Sequence, residues 1–86
     1  MRPEELKELI RRQPFVPMRL HLTDGKTYDI RHPENVLLSR SNIHLGVDAD
    51  PATGVVGRVD FVSLLHIVRV EDMPASVAQG GNGQGS

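Results

Sequence analysis

The stretch Phe15–Arg31, which reads FVPMRLHLTDGKTYDIR, constrains the fold of this chain more than any other. Apolar and polar residues alternate in both of its halves, and a period of two is typical of strands with one buried face. Asp24 and Gly25, between the halves, suit the positive φ angles of a two-residue type I′ turn. The stretch therefore predicts a β-hairpin. Its predicted inner face consists of Val16, Met18, Leu20, Leu22, Tyr28 and Ile30.

A short helix is predicted before the hairpin, over Pro3–Arg12. Leu6, Leu9 and Ile10 follow the helical spacing and make one apolar stripe. The initial proline suits a first helical turn, and Pro14 biases the residue before it out of the helical region. A helix of about ten residues is shorter than the ~12 to 15 that are marginally stable alone. We therefore expect the stripe to dock on the sheet.

The rest of the chain predicts more short strands separated by turns. Strands are predicted over Val36–Ser39, Ile43–Val47, Val55–Val62 and His66–Glu71, with a break at His32–Asn35, a loop over Asp48–Gly54 and a 3₁₀ corner at Ser63–Leu65. Within the third of these strands, alternation predicts that Val59 and Phe61 face the core, with Arg58 and Asp60 outside. Gly57 is predicted to be a bulge or a point of close approach.

These elements predict a mainly β fold with one N-terminal helix, in which five to six strands form a small, strongly bent antiparallel sheet or a partly closed barrel. Residues 1–72 are expected to form one domain. The Gly-, Gln- and Ser-rich segment 73–86 is expected to be a flexible tail, because it has little apolar surface to bury. A core this small favours association with a second copy.

Composition narrows the chemistry. The chain has no cysteine, which excludes disulfides, thiolate metal sites and a cysteine nucleophile and fits a cytoplasmic setting. Its net charge is −1, and residues 14–72 contain six Lys or Arg against eight Asp or Glu, so binding to nucleic acid is not favoured. No apolar run approaches the ~20 residues of a membrane span. We expect no membrane association and no cofactor.

Two resemblances add to this interpretation. The order of a helix, a hairpin with Asp-Gly and a terminal SLLHIVRVE strand resembles the architecture of Sm-like and SH3-like small barrels. The segments QPFVPMRLHLTDGKTYDIRHPENVLLSRS and SLLHIVRVE also resemble a group of short bacterial proteins with a PFxPxRxxLxDGxxxxxxHPE pattern. The first resemblance implies a partly closed barrel, and the second implies no particular activity.

The titratable residues suggest no strong catalytic or metal site. His32 and Glu34 share a turn, and a histidine beside a carboxylate is a general-base arrangement, but no nucleophile motif accompanies it. The four histidines lack metal-ligand spacing. The acidic loop that begins at Asp48 lacks the glycine and the glutamate of a calcium loop. We therefore expect no catalytic, cofactor or metal residues.

Three hypotheses about function follow. The first is a non-enzymatic protein-interaction or self-assembly module that contacts another protein or a second copy. The predicted interaction surface consists of Arg19, His21, Arg31, His32, Glu34 and Arg40. The alternative is an Sm-like barrel that binds single-stranded RNA or DNA, with arginines lining a groove; pairing of these arginines with Asp29 and Asp60 is favoured over that arrangement. The third is an enzyme that uses His32 and Glu34.

Overall fold

The computed structural model describes residues 1–73, which form one helix and two three-stranded antiparallel sheets. Helix α1 spans Pro3–Ile10. The strands are β1 (Met18–Leu22), β2 (Thr27–Ile30), β3 (Val36–Leu38), β4 (Asn42–Val47), β5 (Arg58–Ser63) and β6 (Ile67–Asp72). One-turn 3₁₀ helices, Pro33–Asn35 and Leu64–His66, precede β3 and β6. The predicted mainly β class with an N-terminal helix is confirmed.

The two sheets have the strand orders β2-β1-β6 and β3-β4-β5. The last strand returns to pair antiparallel with the first, with Arg19 opposite Glu71 and His21 opposite Arg69. Each 3₁₀ turn marks the place where the chain passes from one sheet to the other. Over residues 1–73 no ladder of strand pairs joins the two sheets, so these strands do not form a closed barrel.

The predicted hairpin is confirmed, although its turn differs from the prediction. The register places His21 opposite Thr27, and the Leu22 N–H donates to the Lys26 carbonyl at 2.9 Å, which makes the loop longer than two residues. Gly25 has a φ of 86°, whereas Asp24 does not have a positive φ. The loop is therefore of the three-residue kind, in which only the glycine takes the left-handed conformation.

One core lies between the inner faces of the two sheets and the helix. Its buried apolar side chains are Leu6, Met18, Leu20, Ile30, Ile43, Leu45, Val62, Leu64 and Ile67. The inner face of the hairpin is as predicted at Met18, Leu20 and Ile30. The helix docks on the core as expected, through a fully buried Leu6, but it ends at Ile10 rather than Arg12.

The predicted orientation of β5 is wrong. Val59 and Phe61 are 50% and 69% exposed and point away from the core, whereas Val62 is buried. The register with β4 is the physical reason, because Val62 lies opposite the buried Ile43. Successive side chains of a strand point to opposite faces, so a buried Val62 fixes Phe61 and Val59 on the outer face.

The same register turns Asp60 inward, opposite Leu45. The carboxylate is satisfied there, because the Tyr28 hydroxyl donates to Oδ2 at 2.6 Å and Arg58 Nε donates to Oδ1 at 2.9 Å. These hydrogen bonds hold the pKa of Asp60 below its usual range, with the larger effect from Tyr28. A sequence pattern that treats Asp as an outward residue does not anticipate this arrangement.

The connection before β5 is longer than predicted, since the strand begins at Arg58 rather than Val55. Gly57 is confirmed as a point of close approach: its N–H donates to the carbonyls of Val47 and Asp48, at 2.9 and 3.1 Å. A Cβ atom at this position would lie 3.2 Å from the Cβ atom of Asp48.

The segment that follows α1 and the end of the described chain meet beside β1. Arg12 donates from both terminal nitrogens to the Asp72 carboxylate, at 3.2 and 3.0 Å, and the Met73 N–H donates to the Pro17 carbonyl at 2.7 Å. The remainder of the predicted flexible tail, 74–86, lies outside the described residues. Among residues 1–73, no helix has the length and apolar character needed to cross a membrane.

Candidate functional site

The outer face of the β2-β1-β6 sheet carries charged residues that pair with one another, and we call it the charged face. It consists of Arg19, His21, Asp29, Arg69 and Glu71. Arg19 donates to both oxygens of Asp29, at 2.7 and 3.2 Å. This interaction lowers the pKa of Asp29 below its usual range. The predicted cross-strand pairing of barrel arginines with Asp29 and Asp60 is thus found for Arg19 and Asp29, whereas Asp60 pairs with Arg58 of its own strand.

On the charged face, the His21 ring lies between the carboxylate of Glu71 and the guanidinium of Arg69. Its Nε2 atom lies 3.0 Å from Glu71 Oε1 and 3.0 Å from Arg69 Nη2. A single ring nitrogen either donates to the carboxylate or accepts from the guanidinium, so the tautomer selects the partner. The hydrogen bond with His21 lowers the pKa of Glu71.

Of the other residues of the predicted interaction surface, only Arg31 pairs with a residue of the charged face in the described part of the chain. Arg31 Nη2 lies 3.5 Å from Asp29 Oδ2, and Arg31 and His32 line a pocket of about 210 Å³ between β2 and β4. His32 Nδ1 and Glu34 Oε2 are 3.8 Å apart on exposed side chains. Arg40 lies in the turn between β3 and β4 and is exposed. Such exposed pairs contribute little to stability.

The outer face of the β3-β4-β5 sheet is apolar and exposed, and we call it the apolar face. It consists of Leu37, His44, Val56, Val59 and Phe61. Leu37, His44 and Phe61 stand side by side across the three strands. Leu37 is 67% exposed and Phe61 is 69% exposed. Clustered apolar side chains of this kind mark interaction surfaces, in contrast to single exposed ones.

Side chains of the apolar face pack against one another and against the backbone. The rings of His44 and Phe61 stack with their centroids 4.4 Å apart at an interplanar angle of 33°. Val56 packs over Gly46, where a Cβ atom would lie 2.6 Å from Val56 Cγ1. A groove of about 550 Å³ runs along these residues and is also lined by Glu34. The glycine therefore allows the β4–β5 connection to lie against the strand and widen the face.

Within residues 1–73, no three His, Asp or Glu side chains come together as metal ligands would. The same part of the chain contains no buried polar side-chain atom that lacks a hydrogen bond. The described residues thus present two outer faces of different character, one charged and one apolar.

Comparison with known proteins finds no match for this chain among protein-family models, curated proteins or solved structures.

Sequence reasoning missed the apolar face because it placed Val59 and Phe61 in the core. The local alternation favours that orientation, because Val59 and Phe61 are apolar whereas Arg58 and Asp60, on the same face as Val62, are charged.

Proposed function

We propose that this chain is a non-enzymatic protein-interaction module and that the apolar face is its docking surface. The observation that carries the proposal is the exposed row of Leu37, His44 and Phe61 across β3, β4 and β5. Covering these side chains with a partner removes apolar surface from water, which is the main driving force of protein association. The predicted interaction surface around Arg19 and His21 stays a prediction. There, ion pairs within the chain would compete with binding to a partner.

We propose in addition that the two sheets correspond to a partly closed small barrel of the SH3-like or Sm-like kind. The pairing of β6 with β1 and the 3₁₀ turn immediately before β6 support this proposal. The gaps between the two sheets, where no strands pair, would then be the open sides of the barrel.

Single-stranded nucleic acid is the second candidate partner, and the stacked rings of His44 and Phe61 favour it. Bases stack on such rings in many RNA-binding proteins, but cations along the backbone path supply most of the affinity. The strand positions of the apolar face carry no Lys or Arg in the described chain. A fluorescent oligonucleotide that binds at low salt, and less so when Phe61 is changed to Ser, would favour this candidate.

Photocrosslinking tests the docking surface without assuming a partner. The photoreactive amino acid p-benzoylphenylalanine is introduced at position 61, or at position 65 as a control, in cells that produce the full chain. Leu65 is 84% exposed and lies outside the apolar face, so it matches position 61 in accessibility. We expect one discrete protein adduct from position 61 and none from position 65. No adduct at 61, or the same pattern from both positions, would contradict the proposal.

A further inference from the structure

We infer that His21 is a proton-dependent switch: its ring pairs with Arg69 when it is neutral and with Glu71 when it is protonated, and the change of partner releases the Arg69 guanidinium from the charged face. The inference does not depend on the apolar face, so it stands apart from the proposed function. The position of one ring nitrogen between two oppositely charged groups carries it.

His21 Nε2 lies within hydrogen-bond distance of both groups. It is 3.0 Å from Arg69 Nη2 and 3.0 Å from Glu71 Oε1, whereas Nδ1 is 3.5 Å from the same guanidinium nitrogen. The strand register produces this arrangement, because Arg69 lies opposite His21 and Glu71 is two residues further along β6, on the same face. One ring nitrogen has either a lone pair or a proton, so it can satisfy only one of the two groups at a time.

The neutral ring should place its lone pair on Nε2, facing Arg69. Within residues 1–73, the His21 ring is the only hydrogen-bond partner of the Arg69 side chain. Glu71 is better provided for. The hydrogen bond with His21 lowers the pKa of Glu71, and the charges of Arg69 and Arg19 lower it further. The carboxylate therefore loses less than the guanidinium does when the ring pairs with the other group.

Proton uptake reverses this choice of partner. The proton binds the Nε2 lone pair that accepts from Arg69, and the ring becomes a cation whose N–H points at the Glu71 carboxylate. A charge-assisted hydrogen bond to Glu71 then forms, while the positively charged ring and guanidinium repel each other at 3.0 Å. Because Arg69 is exposed, its guanidinium can turn away into solvent.

The charged groups that face His21 come from all three strands of the sheet. They are Arg19 on β1, Asp29 on β2, and Arg69 and Glu71 on β6. Two arginines balance two carboxylates, so the charged face is neutral when the ring is neutral. His66 is the next titratable group, with Nδ1 3.3 Å from Thr23 Oγ1 beyond the end of β1. Proton uptake by His21 thus converts a charge-balanced face into one with a net positive charge and a free guanidinium.

Nuclear magnetic resonance of the ¹⁵N-labelled full chain tests the switch between about pH 8 and pH 5, the range in which histidines titrate. Long-range ¹H–¹⁵N spectra distinguish a ring nitrogen with a lone pair from one with a proton. We expect neutral His21 to have its proton on Nδ1, and the Arg69 Nε–H to become more mobile as His21 takes up a second proton. A proton on Nε2 of the neutral ring overturns the inference, and so does an Arg69 side chain whose mobility stays the same.

Two substitutions should shift the titration midpoint of His21 in opposite directions. Arg69→Met removes the partner of the neutral ring and the repulsion of the charged ring, so the midpoint should rise by about 0.5 pH unit. Glu71→Gln removes the negative charge that pairs with the protonated ring, so the midpoint should fall by a similar amount. Arg40→Met and Glu8→Gln, the same changes at exposed residues away from the charged face, should leave it unchanged.

The outcomes separate this inference from the proposed function. Far-ultraviolet circular dichroism confirms that each variant is folded, and any pattern other than two opposite shifts overturns the switch. Photocrosslinking at position 61 reports on the apolar face independently. A discrete adduct without the opposite shifts supports the docking surface and overturns the switch, whereas opposite shifts without an adduct do the reverse.

Discussion

The Tyr28 hydroxyl donates a hydrogen bond of 2.6 Å to Asp60 Oδ2 and so connects the two sheets. Tyr28 lies in β2 and Asp60 in β5, two edge strands that share no ladder in the described chain. The acceptor carboxylate raises the pKa of Tyr28, and the donated proton lowers that of Asp60. A side-chain bond therefore links the sheets where backbone pairing does not.

Replacement of Tyr28 by Phe should destabilise the fold moderately. The change keeps the ring and removes only the hydroxyl, leaving Asp60 with Arg58 as its remaining hydrogen-bond donor. A lost hydrogen bond of this kind should lower the melting temperature by about 5 °C. Thermal unfolding followed by circular dichroism measures the effect. A Tyr28→Phe variant as stable as the wild type would show that the sheets are held by apolar contacts alone.

Acid should destabilise the protein, because several of its carboxylates have lowered pKa values in the folded state. The pKa values of Asp29, Asp60, Glu71 and Asp72 are lowered in the folded state by hydrogen bonds from Arg19, Tyr28, His21 and Arg12, respectively. A carboxylate with a lowered folded-state pKa stabilises the fold above its unfolded pKa of about 4, and that stability is lost as pH falls through the folded pKa.

Urea unfolding between about pH 7 and pH 2 should therefore show a free energy of unfolding that decreases below about pH 5. The Asp29→Asn variant should be less stable than the wild type at neutral pH and should lose less on acidification. Asp50→Asn, in the exposed loop before β5, controls for the change in net charge. Parallel pH profiles for the wild type and Asp29→Asn would show that the Asp29 carboxylate does not contribute to the loss of stability in acid.

Truncation of the helix anchor should be severe. Leu6 is fully buried in the common core, so Leu6→Ala should reduce the free energy of unfolding by about 3 kcal/mol. Leu9 is only partly buried on the same helix, and Leu9→Ala is the matched control with a smaller expected loss. Equal effects of the two substitutions, measured by urea unfolding, would mean that the helix does not dock through Leu6.

The stability cost of a substitution at Gly25, in the hairpin turn, should depend on backbone conformation alone. Gly25 has a φ of 86°, and no atom lies within 4 Å of the place where a Cβ would stand. Gly25→Ala should therefore cost about 1 kcal/mol through backbone strain. Gly25→Asn should cost less, since asparagine tolerates the left-handed region. Equal costs for Ala and Asn in urea unfolding would point to a cause other than φ.

Local patterns predicted most of the elements of this fold. The alternation around Met18 and Leu20 and the stripe at Leu6 depend on neighbours in the sequence, and both were found as predicted. The turn at Asp24 and Gly25 was placed correctly but given the wrong type. The Asp24 side chain accepts a hydrogen bond from the Lys26 N–H at 2.9 Å, a local contact that accompanies the longer loop.

Long-range contacts account for what sequence patterns missed. The orientation of β5 follows from its register with β4, and the inward Asp60 accepts a hydrogen bond from Tyr28, 32 residues away. Arg12 and Asp72, 60 residues apart, meet for a similar reason. The sequence patterns missed the apolar face for the same reason, because the exposure of Val59 and Phe61 depends on which side of β5 packs on the core.

The opposite character of the two outer faces has a consequence for the orientation of a bound partner. A partner that covers Leu37, His44 and Phe61 leaves the face of Arg19 and Asp29 in contact with water, where the two charges are already paired within the chain. The complex would then present a polar surface to solvent on the side of this chain.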